Sequence, residues 1–104
     1  MTDQEIIKSL KQACEGFRMC RVHFQKEPYS RLIHPHGIAY TRKREVVIVC
    51  FQVAGYSKSQ KLPEFRNLMI NRCERIEVLN EKFKAHPKFN PLDHQYLDWM
   101  FHVE

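Results

Sequence analysis

Guanidinium and imidazole groups dominate the chemistry open to this chain. Arg31, Arg66, Arg72 and Arg75 each flank apolar positions, whereas Arg42 and Arg44 stand on either side of Lys43 in a short basic run. A guanidinium fixed on a β-strand presents a planar fork that grips a phosphate or carboxylate through two hydrogen bonds; on a loop tip it only raises the local potential. The plainer role is an arginine that lays its stem on apolar surface and keeps its charge in water. Clustering separates the two. Four arginines converging with His36 on one concavity repel one another unless an anion or acidic side chains lie among them. His34 and His36, two positions apart, share one face if they lie on a strand. No third ligand stands at readable spacing, so the pair reads as part of a strand face and not as a metal site.

Other chemistries find less support. Cys14, Cys20, Cys50 and Cys73 are six, thirty and twenty-three positions apart, so no pair has the short gap of a zinc knuckle. Each sits among apolar neighbours and reads as a reduced, buried thiol. Cys50, His34, His36 and Glu64 are catalytic candidates only singly, because no local pattern joins a nucleophile to a base and an orienting group. Three glycines are few for a phosphate cradle built from backbone. The expectation is a protein that is not an enzyme and uses no metal or cofactor.

The charge distribution points toward an anion. The 104 residues carry seventeen Lys and Arg against twelve Asp and Glu, a net charge of +5. Residues 16–84 hold fourteen basic and six acidic groups, or +8, and both flanking segments are mildly acidic. A basic body suggests nucleic acid, a nucleotide or a phosphate ester as partner. With 43% hydrophobic residues the chain is no disordered tail, and its length suits one domain, residues 1–104. No apolar run approaches the ~20 residues of a membrane span, and the start MTDQEIIK lacks the order of a secretion signal. The expectation is a cytoplasmic protein without membrane contact.

These side chains need elements to position them. Ile6, Ile7, Leu10 and Cys14 have helical spacing, with Thr2 or Asp3 as cap and Gly16 as terminator. From Phe17 to Gln25 the rhythm becomes period two, a half-buried strand closed by the turn Glu27-Pro28-Tyr29-Ser30. A second strand spans 31–40, with Pro35 marking an edge or a bulge. Residues 42–44 form a hairpin tip, and EVVIVCFQV, 45–53, reads as the central strand. Residues 54–63 read as the longest loop, and two further strands cover 65–70 and 74–79. Asn90-Pro91-Leu92-Asp93 looks like a helix start, predicting a short C-terminal helix to about Phe101 with Leu92, Tyr96, Trp99 and Met100 on one stripe. The expected fold is mainly β within the α+β class: an N-terminal helix, five short strands in a small, strongly bent antiparallel sheet or barrel, and a short C-terminal helix.

The segment RNLMINRCERIEVLNEKF, residues 66–83, resembles the WYL domain, a ligand-sensing module of bacterial transcriptional regulators. Arg66, Ile70, Arg72, Ile76, Leu79 and Phe83 fall in register with that family's pattern, and Arg31 to Gly37 resembles its R-x-V-x-P segment. The resemblance covers a core of residues 4–83, leaving 84–104 as a C-terminal extension. Val46-Val47-Ile48 stands where the family places Trp-Tyr-Leu, and Leu68, Met69, Asn71 and Cys73 replace its Phe, Arg, Asp and Ile, the marks of a divergent member. The resemblance implies an Sm/SH3-like barrel whose basic face takes single-stranded nucleic acid or nucleotides, with Arg31, His36, Arg66 and Arg72 on that face.

Arg42 and Arg44 would extend that face, and Tyr40, with Tyr29 and Tyr56, would supply stacking platforms. At 104 residues the chain reads as a stand-alone module without a winged-helix domain. The expected function is a non-enzymatic regulatory binder of such an anion. The alternative is a protein-interaction module that forms a homodimer or docks on a larger regulator.

Overall fold

The computed structural model describes residues 1–104, and its elements follow from local chemistry. Helix α1 covers Asp3–Gly16. Thr2 and Glu5 close a reciprocal capping box at its start, so two otherwise orphaned N–H groups are satisfied. At the other end Phe17 (φ 51°) takes the left-handed cap conformation next to Gly16. Six strands follow: β1 (Arg18–Phe24), β2 (Arg31–Thr41), β3 (Val46–Gly55), β4 (Glu64–Met69), β5 (Cys73–Lys82) and β6 (Tyr96–His102). A single 3-10 turn, Ile70–Arg72, joins β4 to β5.

All pairings are antiparallel and the order is β4-β3-β2-β1-β5. β4 and β5 do not pair, so the sheet stays open and is not a closed barrel. The middle position belongs to β2, not to the more apolar β3. β2 carries β3 along one edge, while its other edge is shared, β1 pairing with residues 31–33 and β6 with residues 37–41. Pro35 sits at the change of partner, and the β2–β3 register shifts between Pro35 and Gly37, leaving His36 as the bulge residue.

The C-terminal helix expected from Asn90-Pro91 is absent, and β6 stands in its place. Asn90 Oδ1 accepts from the Leu92 N–H and Asp93 Oδ1 from the Gln95 N–H, so these side chains close turns instead of opening a helix. Tyr96 and Trp99 do share a face, at the spacing of three that suggests a helix. The cause is a bulge: Tyr40 pairs with Asp98 and Thr41 with Tyr96, which leaves Leu97 over. A second bulge leaves over Met100. Leu97 is 61% and Met100 38% exposed, while the Tyr96 and Trp99 rings meet at 4.8 Å. The longest irregular segment is therefore 83–95 and not the β3–β4 connection.

Two apolar layers result. On the inner face Ile6, Leu10 and Ala13 of α1 pack on Cys20, Val22, Ile33, Ile38, Ile48, Cys50, Leu68 and Ile76. On the outer face Ala39, Val47 and Val49 lie under Met69, Phe89, Tyr96 and Trp99, so residues 83–103 cover a surface that would otherwise meet water. No helix is long and apolar enough to cross a membrane.

β6 reaches β2 only because residue 37 is glycine. A Cβ there would lie 2.4 Å from the Phe101 carbonyl oxygen and 2.9 Å from the His102 Cα, and backbone cannot give way cheaply. We expect Gly37→Ala to destabilise the protein by about 1–3 kcal/mol. Urea unfolding will show the lowered midpoint, and the emission of Trp99, the only tryptophan, will shift to the red as β6 lifts.

Candidate functional site

The start of β2 gathers several of the charged residues singled out by the sequence. Arg31 leaves only 11% of its side chain exposed and forms a bidentate pair with Glu27, Nε to Oε1 at 2.9 Å and Nη2 to Oε2 at 2.7 Å. Its Nη1 donates to Gln52 Oε1 at 2.9 Å, and its guanidinium lies 5.5 Å from the centre of the Tyr56 ring and 5.6 Å from that of Phe24. Gln52, fully buried, passes the contact on by donating to the carbonyls of Ala54 and Tyr56. Gly55 makes this crowding tolerable: at φ 93° its missing Cβ would lie 2.3 Å from the Ser30 carbonyl oxygen. Arg31 is thus a support holding the two flanking loops together, with its charge already met by a carboxylate.

Arg66 has the same character. Its Nη2 lies 2.7 Å from Glu64 Oε1 and donates to Ser57 Oγ and Ser59 Oγ at 2.7 Å each. These hydroxyls flank Lys58, so Arg66 fixes the loop that carries a further cation. Its Nε is buried without a partner.

What these supports hold is a cleft of about 350 Å³ lined by Phe24, Gln25, Lys26, Glu27, Tyr56, Lys58 and Arg72. Lys26, Lys58 and Arg72 make no ion pair, and the one carboxylate, Glu27, is committed to Arg31. The cleft therefore presents about three uncompensated positive charges beside the Tyr56 ring. Tyr29, 61% exposed, meets Tyr56 edge to face at 5.6 Å and extends the aromatic surface outward.

The other expected site residues lie elsewhere. Arg42, Arg44 and Tyr40 are at the opposite end of β2, all exposed. Arg42 donates from Nε to the His94 carbonyl at 2.6 Å and borders a separate cleft with Lys43, Glu45, Asn67 and Gln95. His36 is fully buried on the outer face of the sheet, its ring 5.5 Å from Phe83 and 5.0 Å from Phe89. Thus Arg31, Arg66 and Arg72 share one neighbourhood, two as supports and one as an open group, and His36 does not join them. Lys26 and Lys58 are the cations that sequence reading passed over. Their signal was faint, one lysine in a turn and one among serines, because no periodicity says which loops will meet.

A larger cleft, about 630 Å³, opens between the end of α1 and the C-terminus. Its lining of Cys14, Phe17, Phe101 and Val103 is apolar, and Glu15 and Glu104 outnumber Lys11, so it does not suit an anion. The four thiols are muted as nucleophiles. Burial pushes the Cys14, Cys20 and Cys50 thiols up to about 12 and the Cys73 thiol to about 11, far from the thiolate a nucleophile needs. No protein-family model matches the chain, and no curated protein matches it either.

The supports and the open cations should separate in a stability measurement. We expect Arg31→Met, which strands Glu27 and Gln52, to lower the unfolding free energy by about 2–4 kcal/mol. Arg72→Met should change it by less than about 0.5 kcal/mol. Urea denaturation of the two variants checks both.

Proposed function

We propose that this protein is a non-enzymatic binding module that takes single-stranded nucleic acid or a nucleotide in the cleft bounded by Lys26, Lys58 and Arg72. The observation that carries the reading is the set of three unpaired cations beside a Tyr29–Tyr56 pair, over a carboxylate already neutralised by Arg31. Single strands are held by this combination, phosphates by cations and bases by aromatic faces. Fixed geometry adds to it. The cleft walls hang on buried and half-buried hydrogen bonds from Arg31, Gln52 and Arg66, so little ordering remains for the ligand to bring about.

On this reading the chain is a divergent WYL-like module with an Sm/SH3-like arrangement. Support comes from the strand order, with β5 returning beside β1 after a single 3-10 turn, and from Arg66 and Arg72 lying at the end where the sheet opens. A regulatory role follows from binding without turnover. Enclosed His36 and the high-pKa Cys50, the groups a hydrolase would use, favour binding over chemistry.

Fluorescence anisotropy with labelled oligo-dT and oligo-U across a salt series tests the proposal. The wild type should bind at low salt, with log K falling linearly in log salt. Each of Lys58→Ala and Arg72→Ala should flatten the slope by about 0.7, the loss of one phosphate contact on a single strand. Equal slopes in all three proteins, or no binding at low salt, would overturn it.

A second reading rests on β6, whose bulged Leu97 and Met100 are exposed along a strand edge. It makes the protein an interaction module, a homodimer or a subunit of a larger regulator. It predicts a dimer in analytical ultracentrifugation that Leu97→Ser/Met100→Ser dissociates, and a monomer at high concentration counts against the homodimer.

A further inference from the structure

Four of the six histidines gather on the outer face of the sheet, away from the cationic cleft, and one of them has a tautomer fixed by its partners. His36 Nε2 lies 3.0 Å from the backbone nitrogen of His86, which can only donate. Its Nδ1 lies 2.8 Å from the His34 carbonyl oxygen, which can only accept. The ring therefore carries its proton on Nδ1 and a lone pair on Nε2, and as the neutral imidazole it is fully satisfied. The backbone of the same residue makes a third tie, the His36 carbonyl accepting from the Val103 N–H at 2.9 Å. One bulge residue thus holds both ends of the covering segment, its start at His86 and its finish at Val103. The ring itself also packs on Phe83, Phe65 and Phe89 at 5.5, 5.7 and 5.0 Å.

We propose that His36 is a proton-operated latch: its neutral ring fastens residues 83–103 over the outer face of the sheet, and protonation of Nε2 releases them. A second proton on the ring turns an acceptor into a donor facing the His86 N–H, so the bond is lost and two donors are left opposed in a site without water access. Release would uncover Ala39, Val47 and Val49 and the Phe51 ring, against which His86 packs at 4.5 Å.

The surroundings give the extra proton nothing to pair with. His34 on the same strand and His86 on the covering segment are the nearest titratable groups, and both oppose a charge on His36. From β6, His102 is screened by Phe89, against which it packs at 6.2 Å. From α1 comes the Cys14 thiol, which donates to the Pro35 carbonyl next to His36 and is held neutral by burial, while the Cys50 thiol of β3 lies in the inner core. On β4, Phe65 meets the ring, so Glu64 and Arg66 alternate to the opposite face, where they pair with each other. Lys84 and Lys88, flanking His86 in sequence, are cations as well.

Burial holds the His36 ring below the usual imidazole range, and it lowers His34 likewise. The native, latched form consequently binds fewer protons than the released form. Its advantage is complete above about pH 6.5, the unperturbed imidazole value, and is lost progressively as the pH falls below it.

Amide hydrogen exchange on the full chain tests the latch. Between about pH 7.5 and pH 5.5, a span that brackets the imidazole range, protection of the His86 and Val103 amides should fall at least roughly tenfold after correction for intrinsic exchange. Amides of the β2–β3 ladder, such as Ile48, should keep theirs. In His36→Gln, whose side-chain oxygen accepts from the His86 N–H but does not titrate, the fall should disappear. An equal fall in His36→Gln, or none in the wild type, overturns the proposal. Should that variant not fold, the ring nitrogen shifts of wild-type His36 decide: the protonation midpoint must coincide with loss of His86 protection, and titration without that loss rejects the latch.

Discussion

Pro35 has no N–H to give to a ladder and Gly37 has no Cβ to keep a neighbour away, and between them one edge of β2 changes partner. β1 occupies that edge before the proline and β6 after it, while β3 runs along the other edge throughout. A regular strand would keep one neighbour per edge. The bulge at His36 bends β2 so that the two neighbours do not collide, and it turns the residue that would have stood in the ladder into a buried ring. The inner layer under α1, the outer layer under residues 83–103 and the open cleft at the start of β2 all depend on this shared edge.

The same economy governs the charges. Burying a guanidinium is costly unless its hydrogen bonds are met, and both the buried Arg31 and the half-buried Arg66 bring their own carboxylate, Glu27 and Glu64 respectively. Such pairs contribute little net stability but fix geometry. Here they tie the β1–β2 turn and the β3–β4 loop to the end of the sheet, so that three cations of no structural duty face one cleft. A basic composition becomes a local field because the other charges are neutralised beneath it.

Histidine is used in the opposite sense on the outer face. There the imidazoles are packing rings, His34 stacking on Phe83 at 5.0 Å and His86 on Phe51 at 4.5 Å. A neutral imidazole packs as a flat ring and, where both nitrogens are paired as in His36, offers a donor and an acceptor to nearby backbone. Burial opposes a charge on His34 and on the His36 ring, which is how the proposed latch would link the covering segment to proton activity.

Much of this was legible in the residues themselves. Local effects dictate the helix with its Thr2 cap, the five strands between Arg18 and Lys82, the bulge announced by Pro35, and the common face of His34 and His36, since each depends on neighbours within a few positions. The reading failed where tertiary pairing overrides local preference. Tyr96 and Trp99 lie three apart in a helix or in a bulged strand alike, and only the edge of β2 left free by β1 selects the strand. The roles of the arginines were equally hidden: composition gave a basic body, but whether Arg31 reaches solvent or Glu27, and whether Lys58 meets Arg72, depends on which loops the sheet brings together. Residue types determined the available chemistry and the elements; the fold alone decided which charges remain free, because pairing is settled by distance in space and not along the chain.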